Sequence, residues 1–156
     1  YGPRQSLSNP YTGVAAIFIS RIKHGNPPVI FEDGLQTRDF VSVHDIVQAN
    51  ILAMEQESLS GFYNTGTGTP RTIQEIAETL ISLYGKAISP EITRKFRKGD
   101  IRHCAADISK AADAFGYAPQ MSFEDGMREL IAWSTTADSQ DRFEEARQEL
   151  QQRGLV

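Results

Sequence analysis

The sequence predicts an α/β fold, because stretches with helical periodicity alternate with short apolar strands along the chain. The clearest helical patterns lie at residues 14–23 and 72–84, and the clearest strand pattern lies at residues 29–31. The 156 residues are the length of one ordinary domain and can bury a substantial core. We divide the chain into a main region, 1–137, and an amphipathic helical tail, 138–156.

The first predicted helix follows a loop at residues 1–13 that is rich in Gly, Pro, Ser and Asn. Apolar residues then recur at helical spacing over 14–23, and the Gly and Pro residues of 24–28 end that helix. A strand at 29–31 runs into the Glu-Asp-Gly turn at 32–34. The pattern of this segment is therefore helix, strand and turn.

The middle of the chain repeats the alternation of strand and helix. A second strand is predicted at 40–43, and Asp45 is the predicted N-cap of a helix that runs to about residue 57. A third strand at 61–64 leads into a loop at 65–70 that contains two glycines.

The third helix has the strongest local signals. Thr72 and Glu75 have the spacing of a capping box, in which each side chain accepts a hydrogen bond from a backbone amide of the other residue. The apolar pattern continues to Tyr84, and Gly85 predicts the end of the helix.

Four more elements are predicted in the last third of the chain. They are an edge strand at 91–96, a helix at 109–115 that Gly116 ends, a helix that begins at Ser122, and a charged helix at 138–154.

Composition excludes several classes of protein. Hydrophobic residues make up 40% of the chain, and no apolar run approaches the ~20 residues that span a bilayer, so we expect no membrane partner. The net charge of −4 argues against a nucleic-acid partner. The single Cys104 gives no disulfide framework, and we expect a reducing, cytoplasmic location. None of the three histidines has a second His or Cys at ligand spacing, so no metal site is predicted.

A dense basic run stands out in this acidic chain. Residues 94–103 hold five Lys or Arg and one Asp. Crowded like charges repel one another, and a bound anion would relieve that repulsion. A phosphate-bearing ligand is the natural candidate, because the guanidinium fork of Arg matches phosphate oxygens. The alternative is a solvated basic loop.

Other candidate sites are weaker. The Gly-containing loop at 65–68 lacks the third Gly of a dinucleotide-binding fingerprint, because Arg71 stands in its place, so we interpret it as a turn. His44 and Asp45 could form an acid–base pair, but a helix cap is the simpler interpretation. Arg38 could be an exposed strand-end residue paired with Asp39. No G-x-S-x-G motif and no Tyr with a Lys four residues later are present, so no catalytic residue is predicted.

Several segments, taken in order, resemble one family. They are YGPRQ at 1–5, PPVIFEDGLQTRDFVSVHDIVQA at 27–49, FYNTGTGTPRTIQEIAETL at 62–80, and RKGDIRHCAADISKA at 97–111 followed by FGYAP at 115–119. This series resembles the C-terminal, substrate-binding half of the extended short-chain dehydrogenase/reductases that act on nucleotide sugars, most of all the NAD-dependent 4-epimerases. The resemblance extends to about residue 133.

The resemblance implies roles for five residues. Arg38 and Arg97 would hold the diphosphate of a UDP- or dTDP-sugar. Asp100 would accept hydrogen bonds from the ribose hydroxyls. Val29 and Phe31 would meet the nucleotide base, with backbone groups reading its edge and the Phe31 ring covering its face.

The resemblance also implies that two motifs of the family are missing from this sequence. The Gly-rich NAD loop and the Tyr-x-x-x-Lys motif of the family belong to its N-terminal half, so we expect NAD to serve the parent protein and not to be bound by this chain alone. We therefore expect the chain to be inactive by itself, and a homodimer is possible. A 4,6-dehydratase, a decarboxylase, a reductase or a non-catalytic binding module remain alternatives, since the diphosphate contacts are common to these enzymes.

Overall fold

A computed structural model describes residues 1–9, 13–96 and 98–155. Within these residues the chain forms six helices and five short strands, which confirms the predicted α/β class. The helices are α1 (Val14–Lys23), α2 (Val43–Met54), α3 (Ile73–Tyr84), α4 (Ser109–Phe115), α5 (Phe123–Ser134) and α6 (Phe143–Gln152). The strands are β1 (Val29–Ile30), β2 (Thr37–Asp39), β3 (Pro70–Thr72), β4 (Glu91–Ile92) and β5 (His103–Cys104).

The strands form two small sheets. Strand β1 pairs with β4 in parallel. In the second sheet β2 lies in the middle, antiparallel to β3 and parallel to β5. The central position of β2 fixes Arg38 between two neighbouring strands.

Helices α1, α3 and α5 enclose the main core. The apolar stripe of α3 is fully buried at Ile76, Ala77 and Leu80, and Phe18 of α1 packs into the same cluster. This stripe follows the helical period that the sequence shows. A second, smaller cluster lies between α2 and α4 and includes Phe115 and Tyr117.

Five helix predictions are confirmed by the structure. Helix α1 has the predicted bounds. Thr72 and Glu75 form the reciprocal capping box of α3, and Gly85 ends that helix with a left-handed backbone (φ 62°). Gly116 ends α4 in the same way, and α5 begins after Ser122. The predicted tail helix is present as α6.

The second predicted strand and the predicted cap of α2 are wrong. The strand lies at Thr37–Asp39, three residues earlier, because these polar residues pair with strands on both sides. The N-cap of α2 is Ser42, whose Oγ accepts a hydrogen bond from the His44 amide at 3.2 Å. The helix ends at Met54 rather than near residue 57. Asp45 is buried and accepts from the amides of Gln120 and Met121 instead.

Three other strand predictions need correction. Residues 61–64 form no strand, because no neighbouring strand pairs with them within the described chain, and Phe62 is 94% exposed. Strand β4 is only two residues long, since Arg94 has a left-handed backbone (φ 56°) that a strand does not accommodate. Strand β1 ends at Ile30 rather than at residue 31.

The tail packs against α1. The Arg21 guanidinium lies 4.5 Å from the centre of the Phe143 ring and 3.5 Å from the Asp141 carboxylate. The side chain of Lys23 donates hydrogen bonds to the carbonyls of Ser134 and Ala137, both at 2.7 Å, so it joins α1 to the end of α5.

Within the described residues, no helix is long and apolar enough to cross a membrane.

Candidate functional site

A cavity of about 330 Å³ brings together four of the five residues that the resemblance singled out. Val29, Phe31, Arg38 and Asp100 all line it. Its remaining lining residues are Gly13, Val14, Phe18, Ile30, Gln36, Phe40 and Ile73. The cavity therefore combines an apolar wall with a charged pair. The fifth predicted residue, Arg97, lies outside the described residues.

Arg38 and Asp100 contact each other directly. Nη2 of Arg38 donates to Oδ1 of Asp100 at 2.5 Å, and Nη1 of Arg38 donates to the Thr37 carbonyl at 2.7 Å. The two side chains are 27% and 25% exposed, so each retains a solvent-facing part. Oδ1 of Asp100 also accepts from the Ile101 amide, whereas Oδ2 accepts no hydrogen bond from the described residues. One carboxylate oxygen of Asp100 thus orients Arg38.

Strand β1 presents the backbone of Val29 to the side away from β4. The carbonyls of Pro28 and Ile30 accept from the amides of Glu91 and Thr93, at 2.8 and 2.9 Å. Backbone groups alternate in direction along a strand, so the polar groups of Val29 point away from that partner. This orientation suits the predicted reading of a base edge.

Arg102, a member of the basic run, has a structural role. Its guanidinium donates to both oxygens of Asp33, at 2.7 and 2.8 Å, and to Glu32 at 2.9 Å. These hydrogen bonds hold the pKa of Asp33 well below its usual range, with a smaller contribution from the Leu35 amide. The ion pairs tie the 98–102 segment to the turn after β1, which borders the cavity.

Asp39 organises the Gly-containing loop at 65–68. Its carboxylate accepts from the amides of Thr67 and Gly68 at 2.9–3.0 Å, from the Thr67 hydroxyl, and from the Ala106 amide at 3.2 Å. A Cβ at Gly66 would lie 2.4 Å from the Asp39 carboxylate, so only Gly fits there. The loop is therefore a turn built around Asp39, as interpreted from the sequence, and Asp39 is not the partner of Arg38.

Sequence reasoning missed two residues of this region. Asp39 was considered only as a partner of Arg38, although its position beside a Gly-rich loop could have suggested an acceptor for the loop amides. Gln36 went unnoticed, although it precedes Arg38 by two residues and so shares its face of the strand. Of the two, Gln36 lines the cavity.

The cavity carries no metal-binding cluster within the part of the chain that the structure describes. Among the residues that the structure describes, no group of three or more His, Cys, Asp or Glu could hold an ion. His44 lies 2.9 Å from both oxygens of Glu129 at the surface, and the carboxylate of Asp45 is engaged by residues 120–121. The acid–base pair considered for His44 and Asp45 is thus not formed.

Comparison with known proteins places these features in one family. Residues 1–130 match the sequence model of the family described as GDP-mannose 4,6 dehydratase. The dTDP-L-rhamnose 4-epimerase of Burkholderia thailandensis is 41% identical over 135 residues, which are 85% of this chain and 37% of that protein.

Two solved structures have the same fold as this chain. One is a UDP-N-acetylglucosamine 4-epimerase from Methanobrevibacter ruminantium in complex with UDP-N-acetylmuramic acid (37% identity, TM-score 0.81, 87% of this chain and 43% of that one). The other is a UDP-glucose 4-epimerase from Thermus thermophilus in complex with NAD (34% identity, TM-score 0.76, 88% of this chain and 44% of that one). This chain spans about 40% of its relatives and matches the C-terminal portion of these Rossmann-type enzymes. It belongs to the GDP-mannose 4,6 dehydratase family, among the NAD-dependent epimerases and dehydratases of nucleotide sugars.

Proposed function

We propose that this chain is the nucleotide-sugar-binding part of an NAD-dependent nucleotide-sugar 4-epimerase. The observation that carries the proposal is the single cavity that joins Val29, Phe31, Arg38 and Asp100. An apolar wall suits a base, and an arginine fork suits a diphosphate. The cavity thus offers the chemistry that the two ends of a nucleoside diphosphate require.

The Arg38–Asp100 pair gives the site a defined geometry. Asp100 fixes one end of the guanidinium through Oδ1, which leaves other N–H groups of Arg38 for phosphate oxygens. Oδ2 of Asp100 would accept from the ribose hydroxyls. Arg97, three residues before Asp100, would add a second fork to the diphosphate. An orientation set before binding lowers the entropy lost on binding.

The chemical step requires groups that this sequence does not contain. NAD, when bound, would supply hydride transfer to and from the sugar, and a base would be needed to move the proton of the sugar hydroxyl. The loop at 65–68 does not fit a dinucleotide phosphate, because its amides already donate to Asp39. We therefore propose that NAD and the catalytic Tyr-x-x-x-Lys are supplied by other parts of the parent protein, and that this chain alone does not turn over substrate.

A second reaction class shares the same binding site. The matching family is named for a 4,6 dehydratase. A dehydratase of nucleotide sugars would use the same contacts to the substrate diphosphate. The epimerase is the better proposal because the 41% identical relative and the two structural neighbours are 4-epimerases.

An exposed apolar face marks where a protein partner would pack. Val43, Val47, Ile51 and Met54 follow one side of α2 at helical spacing and are 40–83% exposed, and Phe62 lies exposed as well. Large exposed apolar patches are typical of interaction surfaces. We propose that the remainder of the parent protein covers this face, and a homodimer through the same face is the alternative.

Calorimetric titration of the chain with UDP and dTDP tests the proposed binding. We expect binding that weakens as salt concentration rises, because screening reduces the attraction between arginine and diphosphate. The Arg97→Ala variant should bind more weakly than the wild type. Equal affinity of the two would reject Arg97 as a ligand, and no binding of either nucleotide would contradict the proposal. The same sample, mixed with NAD and UDP-glucose, should show no epimerase activity.

A further inference from the structure

The short segment that carries Asp100 is held on both sides by residues far away in the sequence. On its C-terminal side, the Arg102 carbonyl accepts a hydrogen bond from the Thr37 amide at 2.9 Å. On its N-terminal side, the Lys98 amide donates to the carbonyl of Leu155, also at 2.9 Å. Three residues lie between these two contacts, with Asp100 in the middle. The position of Asp100 therefore depends on the C-terminal tail as well as on β2.

The turn that ends α6 places the Leu155 carbonyl. Gly154 has a left-handed backbone (φ 65°), and its amide donates to the Gln151 carbonyl at 3.0 Å. The Leu155 amide donates to the Leu150 carbonyl, also at 3.0 Å. These two hydrogen bonds form a Schellman motif, in which a glycine turns the chain away from the end of a helix. The chain after α6 thus has a defined direction.

The beginning of the tail is fixed to α1 and to the residues that follow it. The Arg21 guanidinium lies over the Phe143 ring, and Ala146 is buried. The Asp141 carboxylate accepts from the side-chain amide of Asn26 at 2.7 Å. Helix α6 has ten residues and is about 15 Å long. It therefore links α1 at one end to the Asp100 segment at the other.

We propose that the tail braces the nucleotide site, and that Leu155 is a positioning residue for the segment at 98–102. The inference rests on the proposed function and adds to it a residue outside the binding cavity. Leu155 does not line the cavity, so it acts through the Lys98 amide and not through the ligand. By holding this segment it keeps Asp100 against Arg38. A segment that is ordered before binding loses less entropy when the ligand binds, so the brace raises nucleotide affinity.

A change in the Gly154 turn tests the brace without altering the cavity. Gly154→Val places a β-branched side chain on a left-handed backbone, which disfavours the turn. We expect UDP affinity, measured by calorimetry, to fall about three- to tenfold. In the absence of nucleotide, the Lys98 amide should exchange its hydrogen at least about tenfold faster, as measured by NMR. Gly154→Asn should keep both values near those of the wild type, because Asn tolerates the left-handed region.

A second glycine at a helix end supplies the matched control. Gly116 ends α4 with the same left-handed backbone (φ 70°). Within the part of the chain that the structure describes, a Cβ at Gly116 or at Gly154 would have no neighbouring atom within 4 Å. Gly116→Val thus introduces the same backbone strain away from the tail. Its UDP affinity and its Lys98 exchange rate should stay within about twofold of the wild type.

The possible outcomes separate this inference from the proposed function. Unchanged UDP affinity in Gly154→Val would overturn the brace and leave the nucleotide site standing. Equal losses of affinity in the Gly154 and Gly116 variants would overturn it too, because the cause would then be a general loss of stability. If Gly154→Val does not fold, Gly154→Ala replaces it with the same expectations, since Ala is also strained there. Absence of UDP binding by the wild type would contradict the proposed function, and the inference with it.

Discussion

Replacement of Arg38 with alanine is expected to weaken UDP binding by on the order of ten- to a hundredfold, because the proposed charge-assisted hydrogen bonds to the phosphate would be lost. The variant also leaves the Asp100 carboxylate without its cation, so a negative charge would face the diphosphate. Arg38→Lys keeps the charge but loses the planar fork, and its affinity should lie between those of the wild type and the alanine variant. Calorimetric titration at low salt measures all three affinities.

The matched control removes an arginine from an exposed position on α5. Arg128→Ala changes the net charge equally, but Arg128 does not line the cavity, so its UDP affinity should stay within about twofold of the wild type. Equal losses in the Arg38 and Arg128 variants would mean that UDP responds only to overall charge. Arg38 would then not be a phosphate ligand.

Replacement of Asp39 with alanine should destabilise the fold by about 3 kcal/mol, because the amides of Thr67, Gly68 and Ala106 lose their acceptor. These hydrogen bonds hold the 65–68 loop and residue 106 against β2. Urea unfolding followed by circular dichroism gives the free energy of unfolding. Asp39→Asn keeps one acceptor oxygen and should cost less.

A surface aspartate provides the control for that measurement. Asp113 is exposed on α4, so Asp113→Ala should change the free energy of unfolding by less than about 0.5 kcal/mol. A loss below about 1 kcal/mol in Asp39→Ala would show that water satisfies the loop amides after the carboxylate is removed. The loop would then not depend on Asp39.

Helices with local signals were predictable from the sequence. The bounds of α3 follow from an apolar stripe, a capping box at Thr72 and Glu75, and a left-handed Gly85, all within fourteen consecutive residues. Each of these features acts over one or two turns, so sequence alone contains the information. Helices α1 and α4 were predictable for the same reason.

Features that depend on distant contacts were not predictable from local patterns. Residues 61–64 have a strand-like composition, but a strand needs a neighbouring strand to pair with. Within the described residues no strand pairs with 61–64, and Phe62 is exposed. Asp45 has the chemistry of a helix cap, yet it binds amides 75 and 76 residues away, and Ser42 caps the helix. Such contacts are decided by the folded arrangement of the chain.

The candidate site likewise combines residues that the sequence identifies with contacts that only the folded chain reveals. The basic run at 94–103 indicated an anion site, but spacing could not separate a ligand from a structural arginine. In the fold Arg102 is engaged by Asp33 and Glu32, and Asp100 orients Arg38 from 62 residues away. The family resemblance supplied Val29 and Phe31, which residue chemistry alone did not single out.

The most direct test of the account is the location of bound UDP in solution. Nuclear Overhauser effects between the uracil protons and the isotope-labelled chain identify the side chains within about 5 Å of the base. We predict contacts from the uracil H5 and H6 protons to the Phe31 ring and the Val29 methyl groups, which line the cavity beside Arg38 and Asp100. Contacts to Arg142 and Ala146, in the groove between residues 6–9 and α6, with none to Phe31, would contradict the account.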